Sequence, residues 1–153
     1  GIGEALMRLL HYYDLSPKAV TVEITEGAMG SSPDIVASTL LQLKGMGVSS
    51  SLDDFGTGYS SLSRLSRLPL STLKIDRSFI HGLDDPDNVN DLEIVRTVIL
   101  MAHSLDMSAM AEGVETERQL AALAELGCDS VQGYLLGRPQ EADAVIAVLP
   151  LGA

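Results

Sequence analysis

The sequence has no tryptophan, only four Tyr and two Phe, and a single cysteine among 153 residues. With aromatics so scarce, the core falls to Leu, Val, Ile, Ala and Met, and an apolar content of 46% is enough to build one. One cysteine, Cys128, excludes an internal disulfide and fits a reducing compartment, so a cytoplasmic location is expected. No run of about 18 apolar residues is present, which excludes a conventional transmembrane helix and predicts no membrane contact from this segment. Gly1-Ile2-Gly3-Glu4 offers no basic stretch ahead of an apolar run, so no secretory signal is expected. It also lacks an initiator Met, which predicts a chain that begins inside a larger protein.

Positive charge is short as well. Ten Lys and Arg face 21 Asp and Glu, a net charge of −11. That argues against DNA or RNA polymers as partners, because such binding needs many phosphates neutralised by basic side chains. The acids can serve solubility alone, or they can hold divalent cations that in turn hold a phosphodiester. Their placement along the chain decides between the two.

Short β-branched runs alternate with amphipathic segments. Strands are expected at Val20–Thr25, Val48–Asp53, Thr72–Ile75, Ser108–Glu112 and Ser130–Tyr134. A first helix is expected over Ile2–Tyr13, with Leu6, Leu9, Leu10 and Tyr13 on its apolar face. A second starts at Ser32-Pro33, puts Ile35, Thr39, Leu40 and Leu43 on one face, and stops at Gly45 or Gly47. A third, Asp91–Leu105, follows an acidic loop that lacks the glycine and terminal glutamate of a calcium-binding EF-hand. In a fourth, Thr116 and Gln119 have capping-box spacing and Leu120, Leu123 and Ala124 face inward, with Gly127 as the stop. A last helix is expected near Glu141–Leu149. This alternation predicts an α/β chain with a parallel sheet and right-handed crossovers. Polar residues gather at the C-terminal ends of successive strands: Glu23 and Glu26, Asp53 and Asp54, Lys74 and Asp76, Glu112, and Gln132. Such a gathering marks the active face of a (β/α)8 barrel, and no Gly-x-Gly-x-x-Gly turn supports the open Rossmann alternative. Five strands are too few to close that barrel.

Five blocks carry the chemistry. They are Val22-Glu23-Ile24-Thr25-Glu26, Asp53-Asp54-Phe55-Gly56-Thr57-Gly58-Tyr59-Ser60-Ser61, Leu73-Lys74-Ile75-Asp76-Arg77-Ser78-Phe79, Met110-Ala111-Glu112-Gly113-Val114-Glu115-Thr116 and Val131-Gln132-Gly133-Tyr134-Leu135. Adjacent Asp53 and Asp54 cannot both point inward from an extended strand, and their repulsion is relieved by a divalent cation. Taken alone, the pair reads first as a strand-to-helix turn with an Asp cap.

In this order, over nearly the whole chain, the five blocks resemble the EAL-domain family of cyclic-di-GMP phosphodiesterases. The resemblance implies that residues 1–153 are the C-terminal portion of one EAL-type barrel, its last five strands with their helices. It implies Glu23, Asp53 and Asp54 as metal ligands, with Asp54 at the second ion or the attacking water. Lys74 would contact the water and the phosphate, Glu112 would stand close to the second metal, and Glu26 would anchor the glycine-bearing loop. Glu115 and Gln132 would support water and substrate, and Asp76 would lie near the metal site. Two Mg²⁺ or Mn²⁺ ions suit such hard oxygen ligands, and two ions can activate water and neutralise phosphate oxygens. No Cys/His cluster competes for zinc, since His11, His81 and His103 are scattered.

Glu4-Ala5-Leu6 spells the motif that names the family, yet it sits in a helical pattern with Glu4 on the polar side. The family's own Glu and an Asn ligand are expected ahead of Gly1. The segment alone is therefore expected to bind metal poorly, to be inactive, and to be unstable or self-associating through open edges. The completed domain is expected to hydrolyse cyclic di-GMP to linear pGpG. A catalytically dead nucleotide receptor or protein-interaction module is the alternative. A homodimer and upstream sensor or GGDEF-type domains are the partners that the family suggests.

Overall fold

The computed structural model describes residues 1–56, 62–85 and 87–148. Residues Thr57–Ser61 of the glycine-bearing loop, Pro86, and the chain from position 149 on lie outside these described residues. The order is α1 (Ile2–Tyr12), β1 (Thr21–Thr25), α2 (Glu26–Ser31), α3 (Pro33–Gly45), β2 (Ser49–Phe55), α4 (Leu62–Leu65) and β3 (Thr72–Ile75). Then come α5 (Arg77–His81), α6 (Val89–Ser104), β4 (Ser108–Glu112), α7 (Glu117–Glu125), β5 (Ser130–Gln132) and α8 (Ala142–Val148).

The five strands form one parallel sheet in sequential order, β1-β2-β3-β4-β5. Sequential parallel pairing with a helical crossover at each step is the barrel-forming pattern. All five expected strands are present, each within two residues of its expected ends. The register is regular except in β2, where it shifts between Leu52 and Phe55.

Alternation along each strand separates two chemistries. Leu52, Leu73, Ile75, Ala109 and Ala111 are fully buried against the helices. They meet Leu40 and Leu43 of α3, Val95, Ile99 and Ala102 of α6, and Leu123 of α7 in one core cluster. The other face carries Glu23, Ser51, Asp53, Thr72, Lys74, Ser108, Glu112, Ser130 and Gln132. Its floor is hydroxylic: the Thr72 and Ser108 hydroxyls lie 2.9 Å apart, and the Ser51 hydroxyl is buried with no hydrogen-bond partner.

Helix starts follow local rules. Thr116 caps α7 by accepting from the Gln119 N–H at 3.1 Å, and Gln119 completes the capping box. Asn88 caps α6 and accepts from the Asp91 N–H, so this helix starts at Val89, two residues earlier than the pattern suggests. Pro33 opens α3 behind Ser32, and Gly47 follows its end with φ of +83°. Four residues expected to face inward do not. Ile35 is 69% exposed, because Val36 and Leu40 turn inward instead. On α1 Leu9 and Tyr13 stay exposed, while Gly3 and Leu10 are buried. On α7 Ala124 faces out and Gln119 is buried.

Candidate active site

Four strand ends converge on one ammonium. Lys74 sits on β3, the middle strand, with its side chain almost fully buried. Its Nζ lies 2.7 Å from Glu23 on β1, 3.2 Å from Asp53 on β2 and 2.5 Å from Glu112 on β4. The register is regular on either side, Glu23 opposite Ser51 and Lys74 opposite Met110, and Asp53 reaches Lys74 from within the β2–β3 shift. Burial by itself would push the Lys74 ammonium down. Hydrogen bonds to Glu112, Glu23 and Asp53 outweigh it and raise the group well above the ordinary lysine range.

The adjacent aspartates part company through the backbone. Asp54 has φ of +56°, in the left-handed region. Its N–H donates to Asp53 Oδ1 at 3.1 Å. The kink coincides with the register shift of β2. Asp53 thereby faces Lys74, while the chain turns at Asp54 towards Gly56, which has φ of +101° and abuts the Phe79 ring.

The remaining site residues lie around this centre. Glu112, Glu115 and Gln132 line one cleft of about 200 Å³ together with Arg77, Gly113, Gly133 and Tyr134. Glu115 stands 3.9 Å from His81 Nε2. Glu26 is buried in the first turn of α2. The loop that it is expected to anchor falls outside the described residues. Asp76 caps α5, accepting from the Ser78 N–H at 3.0 Å. Burial pushes its carboxyl up, and the hydrogen bonds from Ser78 more than offset that, so the net shift is downward.

Divalent cations fit this donor set in chemistry: four carboxylates, no thiolate and no imidazole, all hard oxygen. Among the described residues no three such groups already stand in ligating geometry. Glu23, Asp53 and Glu112 are instead turned onto Lys74. A divalent ion held here would have to share these carboxylates with Lys74.

Comparison with known proteins places the chain in a family and a fold. The family model for the EAL domain matches residues 1–139. The chain belongs to the EAL domain family. The cyclic di-GMP phosphodiesterase NbdA of Pseudomonas aeruginosa is 52% identical over 118 residues, 77% of this chain and 15% of that protein. The bifunctional diguanylate cyclase/cyclic di-GMP phosphodiesterase MucR of the same organism is 44% identical over 147 residues, 96% of this chain and 21% of that protein. The chain thus spans about a fifth of the length of such curated relatives. Among solved structures, the MucR phosphodiesterase in complex with c-di-GMP superposes with a TM-score of 0.87 at 44% identity, covering 93% of this chain and 57% of that one. The EAL domain of Mycobacterium smegmatis DcpA gives 0.89 at 41% identity, covering 97% and 66%. Klebsiella pneumoniae BlrP1, solved with manganese and cyclic di-GMP, gives 0.80 at 32%, covering 89% and 34%. An α/β EAL fold with five parallel strands is therefore established. No helix of the described residues is long and apolar enough to cross a membrane.

The sequence named every acid that surrounds Lys74. It missed the weight carried by Gln119 and Asp84, which lie not on the strands but in the segments that follow β4 and β3. Capping-box spacing was the visible signal for Gln119, and nothing local announced its burial.

Proposed function

We propose that this EAL chain forms the C-terminal five strands of a barrel that hydrolyses cyclic di-GMP to linear pGpG, and that turnover belongs to the completed domain. The observation that carries this reading is the single buried ammonium of Lys74 held by Glu23, Asp53 and Glu112 at the ends of four neighbouring parallel strands. The names of its relatives NbdA and MucR, and the manganese and nucleotide in BlrP1, support the substrate and the need for divalent metal.

Glu23, Asp53 and Asp54 would hold Mg²⁺ or Mn²⁺, two ions in the completed site. When bound, such ions lower the pKa of water and neutralise phosphate oxygens. Lys74 contributes a fixed positive charge. Its raised pKa keeps it protonated at neutral pH, so it supports charge developing on the phosphoryl oxygens and does not act as a base. Glu112 orients that ammonium and borders the cleft shared with Gln132 and Glu115. Gln132, with both a donor and an acceptor, suits the holding of water or a ribose hydroxyl. Glu26 would steady the loop after Asp54, and Asp76 would fix the start of α5 next to the site. Hydrolysis opens one of the two ring phosphodiester bonds as water adds to phosphorus.

The free thiol and the nucleotide substrate support a cytoplasmic setting. Exposed Val89, Ile94 and Leu100 on α6 support a homodimer, and the bifunctional relative MucR supports a cyclase-type or sensor domain upstream. The deciding assay is hydrolysis of cyclic di-GMP by the completed domain with Mg²⁺ or Mn²⁺. Metal-dependent pGpG release that vanishes in Asp53→Asn is expected. Nucleotide binding without metal-dependent turnover would establish the receptor alternative instead.

A further inference from the structure

The loop that follows β4, Gly113–Thr116, is pinned on two sides. On one side Val114 donates its N–H to the Gln132 carbonyl at 3.0 Å and accepts from the Leu135 N–H at 3.0 Å. On the other side stands Gln119, only 1% exposed. Its Oε1 accepts from the N–H groups of Glu115 at 2.7 Å and Thr116 at 3.2 Å. A capping box needs no more than this. Here Gln119 also donates through Nε2 to Asp84 Oδ2 at 2.7 Å, while the Thr116 hydroxyl donates to Asp84 Oδ1 at 2.6 Å. Asp84 ends the short helical turn Gly82–Asp84 that follows α5 and β3. One carboxylate thus ties the segment after the Lys74 strand to the segment after the Glu112 strand.

Burying an amide costs free energy unless its hydrogen bonds are met, and the bonds to Asp84 are charge-assisted, the stronger kind. The tie lies at the C-terminal ends of the strands, where barrel enzymes keep their chemistry, and not at the opposite end that serves stability. Partners one shell out from a site commonly set its geometry. We propose that Asp84 and Gln119 are positioning residues: they hold Gly113–Thr116 so that Glu112 meets Lys74 and the metal-binding carboxylates in register. This rests on the phosphodiesterase reading for its catalytic part only.

The experiment uses the completed barrel domain carrying this sequence, with Asp84→Ala, Gln119→Glu and the double variant Asp84→Asn/Gln119→Glu. Asp84 is exposed, so Asp84→Ala should fold. It should speed hydrogen exchange at the Glu115 and Thr116 amides, weaken Mn²⁺ binding measured by calorimetry about tenfold, and lower kcat while KM for the nucleotide stays within about twofold. Gln119→Glu sets two carboxylates against each other and should lose the same properties. In the double variant the asparagine amide donates to the new carboxylate while its oxygen still accepts from Thr116, so exchange protection and Mn²⁺ affinity should recover. Unchanged exchange and Mn²⁺ affinity in Asp84→Ala, or a folded double variant with no recovery, would overturn the assignment. If the parent domain shows no turnover with Mn²⁺, the phosphodiesterase reading fails. The positioning role is then judged on exchange and Mn²⁺ affinity, which need no turnover.

Discussion

Asp54 donates its backbone N–H to the side chain of Asp53 across 3.1 Å, and it does so with φ of +56°. A left-handed residue costs an ordinary L side chain roughly 1–2 kcal/mol, while Asp and Asn tolerate it. Asp54→Asn is therefore expected to keep the folding stability of the parent within about 0.5 kcal/mol, and Asp54→Val to lose about 2 kcal/mol. Urea unfolding of both variants checks this. Equal stability of the two would mean that the kink is not strained. Metal-dependent turnover should be lost in both.

That kink also marks how far the sequence could be read. Period-two alternation placed β2 but ended it at Asp53. It runs on to Phe55 because the left-handed step at Asp54 lets pairing resume beyond the shift. β5 stops at Gln132, short of the expected Tyr134, where the chain leaves the sheet at Gly133. Helical spacing placed α3 and α7 but not their rotation: Ile35 and Ala124 face water, since periodicity fixes a stripe only to within about one residue. The short helices α2, α4 and α5 were not expected, as four to six residues show no period. The acids of the site were legible because strand ends on a parallel sheet share one rim. Their convergence on Lys74 was not legible, because distance across a sheet depends on register.

Lys74 is the counterion of three carboxylates. Lys74→Met keeps the volume and removes the charge, leaving Glu23, Asp53 and Glu112 to repel one another. Breaking a buried ion pair costs about 3–5 kcal/mol. Half the Glu23 side chain is exposed, so roughly 2–3 kcal/mol is expected here. Thermal melts with and without Mn²⁺ test it, because the ion should restore much of the loss by taking over the acids. A variant as stable as the parent without metal would refute the counterion role.

Asp129 gives the acid limb of stability a specific source. It accepts from the Ala109 N–H at 2.7 Å and lies 2.8 Å from His103 Nε2. These contacts, the Ala109 bond first, hold its carboxyl below the ordinary range. A depressed folded pKa contributes stability above the unfolded value of about 3.9 and loses it as pH falls towards the folded value. The stability gap between the parent and Asp129→Asn should shrink as pH falls below about pH 4. Chemical unfolding at several pH values measures it, and a gap that widens in acid would reverse the assignment.

Gly133 and Gly113 admit no side chain. A Cβ on Gly133 would meet the backbone of Val114, which cannot swing away. A Cβ on Gly113, at φ of +71°, would come within 2.6 Å of the Arg77 Cβ. Gly133→Ala is expected to cost more than about 3 kcal/mol, and Gly113→Ala somewhat less, since its contact with the Arg77 Cβ is the longer of the two. Soluble yield and melting temperature rank them, and the reverse order would locate the tight contact at Arg77.

The sheet's two faces also bear on how such a chain can change over time. The buried Leu, Ile and Ala side chains stand on one parity of the strands, and most of the carboxylates and the ammonium stand on the other. A replacement at Leu52 or Leu73 acts on the packing under the helices, while one at Asp53 or Lys74 acts on the charges of the other face. Heritable variation can therefore act on packing and on charge almost separately, one residue apart along the same strand.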